Sequence, residues 1–237
     1  MPNSYFSFKK FTVYHNQCAM KVGIDGVLLG AWTTVENVGN ILDIGTGTGL
    51  IALMLAQRTN AQIDAIDIDI DAVMQASENV ANSPWKSKIK VYETALQDFT
   101  KKTTKQYDLI VSNPPYFINS TKTPSIERTT ARHTVSLTHE ELIENANLLL
   151  KQTGRICIIL PVNEGLQCVE HANKKGLFCT RLVSVYPKSN SAVKRLLLEF
   201  SKQSKDKIES KLVIEGDLRH CYSQEFSDLA KDFYLKL

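Results

Sequence analysis

The chain has 237 residues, 43% of them hydrophobic and 22% charged, with a formal net charge of +3. Such a length can bury the core of one large α/β domain, and the balance is that of an ordinary globular protein rather than a disordered or fibrous one. No run of eighteen apolar residues occurs, which excludes an apolar membrane-spanning helix.

The opening residues, Met1 to Phe6, lack the basic-then-apolar layout of a secretion signal, so a cytoplasmic location is expected. The five cysteines and five histidines are scattered, with no Cys-x-x-Cys or His-x-x-x-His pair. Reduced, structural cysteines and no metal are therefore expected. Charge is unevenly spread. Residues 39–98 hold four Lys/Arg against eight Asp/Glu, whereas residues 101–211 hold eighteen against ten. A polyanion meeting the second half is one reading of that asymmetry, and a solvated lysine-rich surface is the other.

In chain order, the aromatics up to about residue 14 alternate as in a small strand or hairpin, and residues 24–35 read as a helix. A buried strand over 41–44 is followed by a helix over 49–58, with Leu50, Leu53, Met54 and Ala56 mostly on one face. Next come a strand over 62–67, a helix over 71–81, and strands over 89–92 and 107–112. Thr138, with Glu141 three residues on, predicts a capping box that starts a helix over 138–150. A strand over 156–160, a helix over 163–174 and two extended runs over 180–186 and 193–200 complete the pattern. Strands alternating with helices imply a parallel sheet covered on both faces. The short Pro-Lys-Ser-Asn link between the last two runs cannot hold a crossover helix, so they should pair antiparallel at the sheet's edge. Residues 203–237 begin as a lysine-rich polar run and read as an appendage.

Asp43-Ile44-Gly45-Thr46-Gly47-Thr48-Gly49 lies between the first strand of this pattern and its helix. Glycines there let the backbone turn tightly and approach a ligand. A dinucleotide fingerprint would put its third glycine one residue later, where Leu50 stands. Asp67, at the end of the next strand and 24 residues after Asp43, is placed to accept ribose hydroxyls. Asp69 and Asp71 compete for that role but suit the start of the following helix, where acids favour the dipole. Asn113-Pro114-Pro115-Tyr116 follows the strand over 107–112, at the carboxyl end where open α/β sheets bind ligands. Two prolines stiffen the turn and remove two amide donors. The Asn113 side-chain oxygen and the Pro114 carbonyl are then acceptors for the two N–H bonds of a planar amine, and Tyr116 offers a face on which an extruded base can stack.

The Asp-x-Gly-x-Gly-x-Gly segment resembles the first motif of the class I S-adenosylmethionine methyltransferases, and Asn-Pro-Pro-Tyr resembles the catalytic motif of the members that methylate planar amines. The resemblance implies a Rossmann-like α/β fold: a mostly parallel seven-stranded sheet with an antiparallel edge hairpin and helices on both faces. It implies S-adenosyl-L-methionine as cofactor, Asp98 as acceptor of the adenine amine and Phe99 as lining of the adenine. The segment from Phe11 to Trp32, with Met20-Lys21-Val22-Gly23-Ile24-Asp25-Gly26 at its centre, resembles the bacterial tRNA1(Val) (adenine-N(6))-methyltransferase family. So do Ala131-Arg132-His133, Ser136-Leu137-Thr138 and the terminal Asp232-Phe233-Tyr234-Leu235-Lys236-Leu237.

That family methylates the adenosine immediately 3′ of the anticodon of valine tRNA. The resemblance makes Lys21 and Asp25 further candidates at the cofactor's methionine end. One methyltransferase domain is expected, with residues 1–38 packed over the cofactor site, 39–202 as sheet core and 203–237 as appendage. The tetrapeptide alone leaves a guanine-N(2) ribosomal RNA methyltransferase open. A non-catalytic RNA-binding protein on the same fold is a third reading, disfavoured by the intact motifs. Valine tRNA, through its anticodon loop, is the expected partner, with Arg128, Arg132, Lys194 and Arg195 as leading contacts; neither membrane nor metal is expected, and oligomeric state is left open.

Overall fold

The structure is a computed structural model and describes residues 3–18, 20–115, 137–216 and 221–237. Its elements are β1 (Tyr5–Ser7), β2 (Thr12–Tyr14), α1 (Ile24–Trp32), β3 (Asn40–Ile44), α2 (Leu50–Arg58), β4 (Gln62–Asp67), α3 (Ile70–Ala81) and β5 (Ile89–Glu93). There follow α4 (Leu96–Lys102), β6 (Tyr107–Ser112), α5 (His139–Leu149), β7 (Leu150–Pro161), α6 (Val162–Lys174), β8 (Phe178–Lys188), β9 (Arg195–Ser201), β10 (Ile208–Glu215) and α7 (Gln224–Ala230).

β1 and β2 form an antiparallel hairpin. The main sheet has the order β10-β8-β9-β7-β6-β3-β4-β5, with β5, β4, β3, β6 and β7 parallel and β9 antiparallel to both β7 and β8. Seven of these strands and the antiparallel hairpin are those expected from the sequence. The eighth is a correction: part of the lysine-rich run after residue 203 is β10, which pairs parallel with β8 and takes the sheet's edge. Its first four residues are exposed, so the strand buries too little to show an apolar pattern.

Side chains alternate across the sheet with the period of two that extended backbone imposes. Ile41, Ile63, Leu109, Val111, Ile159 and Leu197 enter the core under α1, α2 and α7. Leu42, Ile44, Ile110, Ile158, Leu160 and Leu198 enter the opposite core under α5 and α6. The capping box is present: Thr138 Oγ1 accepts the Glu141 amide and the Glu141 carboxylate accepts the Thr138 amide. α1 lies unusually close to α2. A Cβ added at Gly26 would come 2.9 Å from a Leu50 methyl, and one at Gly30 would come 2.8 Å from Met54 Sδ. The α1 carbonyls of Gly30 and Thr33 beyond it are closed by Arg58 Nη1, at 2.8 and 2.7 Å.

The two ends of the chain meet. Phe8 and Phe11 of the N-terminal hairpin pack with Phe226, Phe233 and Tyr234, and the Lys9 amide donates to the Phe233 carbonyl at 2.8 Å. Asn79 of α3 ties the hairpin to the sheet by donating to the Tyr14 and Thr48 carbonyls. Among the described residues, no helix is long and apolar enough to cross a membrane.

Candidate active site

β3 ends at Ile44, and the glycine loop after it forms one wall of a cavity of about 440 Å3. Gly45 and Gly47 line it with φ of 68° and 55°, a region in which a Cβ is costly. A Cβ added at either would meet nothing within 4 Å. Backbone conformation, rather than packing, therefore demands glycine there, and the space beside the loop is open to a ligand. The loop is tied to the neighbouring strand, since the Gly45 and Thr46 amides both donate to the Ile66 carbonyl. Gly49 caps α2 and faces Ala76 of α3 instead of the cavity.

Asp43 sits behind the loop and is fully buried. Its Oδ2 accepts the Thr46 hydroxyl at 2.6 Å and the Ala52 amide at 3.2 Å, while its Oδ1 has no hydrogen-bond partner among the described residues. Burial pushes its carboxyl up to about 7, against the opposing pull of those two hydrogen bonds.

Asp67, at the end of β4, faces the cavity. Its Oδ1 accepts the Asp69 amide at 3.0 Å and its Oδ2 the Gly47 amide at 2.8 Å. Burial raises its carboxyl above the ordinary range, and the two amide bonds counter it. A carboxylate offers about four lone-pair positions, so two remain for hydroxyls of a ligand. Asp69 also lines the cavity, but its side chain caps α3 by accepting the Asp71 amide at 3.0 Å.

Asn113-Pro114-Pro115 begins another wall. Ser112, the last residue of β6, donates its hydroxyl to the Ile44 carbonyl at 2.9 Å. This bond locks the end of β6 to the end of β3, and so holds Asn113 beside the glycine loop. Asn113 and Pro115 line the cavity, and Pro114 is buried beneath them. Tyr116 lies outside the described residues, as do Arg128, Arg132 and His133.

The remaining wall contains residues that the sequence reading did not single out. Cys18 and Met20 approach from the N-terminal segment, Ile68 and Ala72 from the start of α3, and Thr94, Ala95, Leu96 and Gln97 from the start of α4. Burial, and then the carboxylates of Asp67, Asp69 and Asp71, push the Cys18 thiol up to about 11, so it is protonated at neutral pH.

Asp98 and Phe99 are not in this wall. Asp98 pairs with Lys101 at 3.5 Å, with its side chain 58% exposed. Phe99 packs between the rings of Tyr92 and Tyr107. The reason is helical phase: α4 starts at Leu96, so its first turn presents Leu96 and Gln97 to the cavity and rotates the next two residues away. The sequence pattern marks no helix between the strands over 89–92 and 107–112, so the phase that turns Gln97 toward the cavity was not legible.

Lys21 is exposed and outside the lining. Asp25 also lies elsewhere, accepting Arg195 Nε at 2.9 Å in a second cavity.

The main cavity is predominantly apolar, through Ile44, Ile66, Ile68, Leu96 and Leu137, with Asp67 and Asp69 as its only carboxylates among the described residues. That combination fits a nucleoside: apolar walls for a base, and a carboxylate with spare acceptor positions for a diol. The open side of Gly45 and Gly47 accommodates what extends beyond the sugar. Among the described residues, no three His, Cys, Asp or Glu side chains converge as a metal site would require.

Solved structures share this architecture. A predicted O-methyltransferase from Agrobacterium tumefaciens superposes with a TM-score of 0.69 at 16% identity, over 88% of this chain and 96% of that one. A ribosomal protein L11 methylase from Lactobacillus delbrueckii subsp. bulgaricus superposes with a TM-score of 0.57 at 17% identity, over 79% and 82%. The sequence model of the methyltransferase small domain matches residues 24–175. Two full-length relatives are each 50% identical and covered end to end, from Parabacteroides distasonis over 237 residues and from Phocaeicola vulgatus over 238. Both are named tRNA1(Val) (adenine(37)-N6)-methyltransferase. With the glycine loop, the Asp67 carboxylate and the Asn-Pro-Pro turn in one cavity, and with identity extending through both termini, the chain belongs to the tRNA1(Val) (adenine(37)-N6)-methyltransferase family, built on the methyltransferase small domain.

Proposed function

We propose that this protein methylates the exocyclic N6 amine of adenosine 37 of valine tRNA, the adenosine immediately 3′ of the anticodon. The observation that carries the reading is the meeting, in one cavity, of Gly45, Gly47 and Asp67 with Asn113 and Pro115. S-adenosyl-L-methionine is the cofactor and supplies an electrophilic methyl group. Gly45 and Gly47 would hold its methionine end, with Asp43 behind the loop, and Asp67 would take the ribose hydroxyls. The apolar wall around Leu96, with Gln97, would receive its adenine.

The chain's own contribution is to orient the nucleophile. The adenine amine is weakly nucleophilic because its lone pair is delocalised into the ring. The Asn113 side-chain oxygen and the Pro114 carbonyl accept its two N–H bonds, turning the nitrogen toward tetrahedral geometry and directing its lone pair outward. No histidine, lysine or glutamate lines the cavity among the described residues. This suits a reaction whose amine is neutral before attack and sheds its proton only after the new bond has formed. An anticodon loop presents single-stranded bases that cost little to extrude onto an aromatic face such as that of Tyr116. The basic second half, with Lys194, Arg128 and Arg132, supplies phosphate contacts.

The test is methyl transfer to an unmodified valine tRNA transcript and to the same transcript with adenosine 37 changed to guanosine, followed by nucleoside mass spectrometry. N(6)-methyladenosine in the first and no product in the second is expected. Equal labelling of both would refute the position, and N(2)-methylguanosine would reassign the enzyme to a guanine amine.

A further inference from the structure

A second cavity, of about 480 Å3, opens on the same carboxyl-terminal side of the sheet, toward its β10 edge, between the start of α1, the β8–β9 turn and the end of β10. Asp25, Lys194, Arg195, Glu215 and Tyr222 line it. None of these has a place in the chemistry of the main cavity.

Sheet register fixes its position relative to the reacting centre. Ser112 lies level with Ile158 of β7, and Ile158 with Leu198 of β9. Arg195, at the start of β9, pairs with Pro161 at the end of β7. Arg195 is thus two strands across from Asn113, ~10 Å, and about two residues farther along the strand direction, ~7 Å. The connecting chain gives a consistent bound. Met20 lines the first cavity and Ile24 the second, and four residues of extended backbone reach at most ~14 Å. Both cavities therefore open on the face where the parallel strands end, at a separation that neighbouring nucleotides of an extended single strand can bridge.

Its chemistry is that of a nucleotide site. Tyr222 is 41% exposed, yet its ring is braced from behind by buried Phe226 at 4.6 Å and Tyr234 at 6.0 Å between centroids. A held aromatic face with its outer side toward a cavity is a platform for a base. Lys194 is exposed and makes no ion pair among the described residues. Beside it, Arg195 is fixed by Asp25 at 2.9 Å, and Lys188 pairs with Glu215 at 3.2 Å. Lys194 is a cation without a carboxylate partner among the described residues, and is available to a phosphate. The carboxylate of Asp25, which the sequence resemblance suggested for the cofactor, acts here by holding the Arg195 guanidinium at the rim.

We infer that this second cavity binds a nucleotide flanking the methylated adenosine, with Tyr222 stacking on its base and Lys194 holding its phosphate. The inference rests on the tRNA reading above and adds an anchor that would hold the anticodon loop while adenosine 37 is extruded into the first cavity.

The test compares wild type, Tyr222→Ala, Tyr222→Phe and Lys194→Ala. Two affinities are measured: for folded valine tRNA over a series of salt concentrations, and for S-adenosylmethionine by calorimetry. Tyr222→Ala should raise the Kd for tRNA about tenfold while Tyr222→Phe keeps it. Lys194→Ala should weaken tRNA binding and reduce the salt slope by about one. Cofactor affinity should be the same in all four. Wild-type tRNA affinity in both Tyr222→Ala and Lys194→Ala would overturn the second site and leave the proposed function standing. Failure of wild type itself to bind or methylate valine tRNA would overturn both. Should Tyr222→Ala lose cofactor binding, and hence its fold, Lys194→Ala decides alone, and an unchanged salt slope there overturns the inference.

Discussion

The Gly47 amide donates to Asp67 Oδ2 at 2.8 Å, so the carboxylate that lines the cavity is also the strap that holds the glycine loop. Asp67 Oδ1 is engaged in the same way by the Asp69 amide. Both oxygens accept backbone donors before any ligand arrives.

One consequence is that even a conservative change at Asp67 should be damaging. In Asp67→Asn, one position that now accepts an N–H would carry an NH2 group, placing donor against donor. Asp67→Ala removes the strap and the acceptors for the ribose together. Hydrogen bonds to a charged group are each worth roughly 1.5–3 kcal/mol, so cofactor affinity should fall at least about 100-fold in Asp67→Ala. Asp67→Asn should recover only part of it. Calorimetric titration with S-adenosylmethionine measures both, and wild-type affinity in either variant would remove Asp67 from the site.

Asn113 should behave oppositely. The neighbouring Ser112 hydroxyl bond to the Ile44 carbonyl positions the turn and is untouched by Asn113→Ala. The glycine loop and Asp67 should then keep their geometry, and cofactor affinity should stay within about twofold. The methyl-transfer step should slow by about 100-fold or more, the scale expected when a preorganised polar contact to the reacting group is removed. Single-turnover kinetics with saturating tRNA reads that step directly. A near-wild-type rate would show that the tetrapeptide does not hold the amine.

What the sequence disclosed follows a physical pattern. Buried strands such as Asn40–Ile44 and Tyr107–Ser112 announce themselves through short apolar runs, Ile41-Leu42 and Leu109-Ile110-Val111, and the loops after them carry residue types that ordinary turns do not need. Gly45, Gly47, Asp67 and Asn113 were therefore legible, and the fold brings them to one cavity. Less legible were features set by long-range packing. β10 is exposed over its first four residues and is held by pairing with β8, so no local pattern marks it. Asp98 and Phe99 fit the motif order but depend on the rotational phase of α4, which one residue of shift reverses. Asp25 is drawn to Arg195, 170 residues away, a pairing that spacing along the chain does not reveal.

Asp43 should make the stability of the fold depend on pH. Its carboxyl in the folded protein is pushed up to about 7 from an ordinary value of 3.8, because it is fully buried and, among the described residues, only Oδ2 is hydrogen-bonded. Below about pH 4 the group is protonated in both folded and unfolded chains and contributes no pH dependence. Between about 4 and 7 the unfolded chain has released this proton while the folded chain still holds it, so rising pH favours unfolding. Above about 7 both states are ionised and the loss is complete. A displacement of about three pH units corresponds to at most about 4 kcal/mol. Asp43→Asn keeps an oxygen for the Thr46 hydroxyl and the Ala52 amide but cannot ionise, so it lacks this loss. The stability of Asp43→Asn relative to wild type should therefore increase steadily from pH 4 to pH 7 and level off beyond. Denaturant unfolding of the two proteins without cofactor, at intervals across that range, measures the difference. Asp108, whose hydrogen bonds from Lys151, Asn40 and Gly39 lower its carboxyl, contributes the opposite slope at lower pH, but equally to both proteins, and cancels in the comparison. Parallel stability curves from pH 4 to 7 would show that Asp43 is ionised throughout, and that its buried oxygen is compensated by some other group.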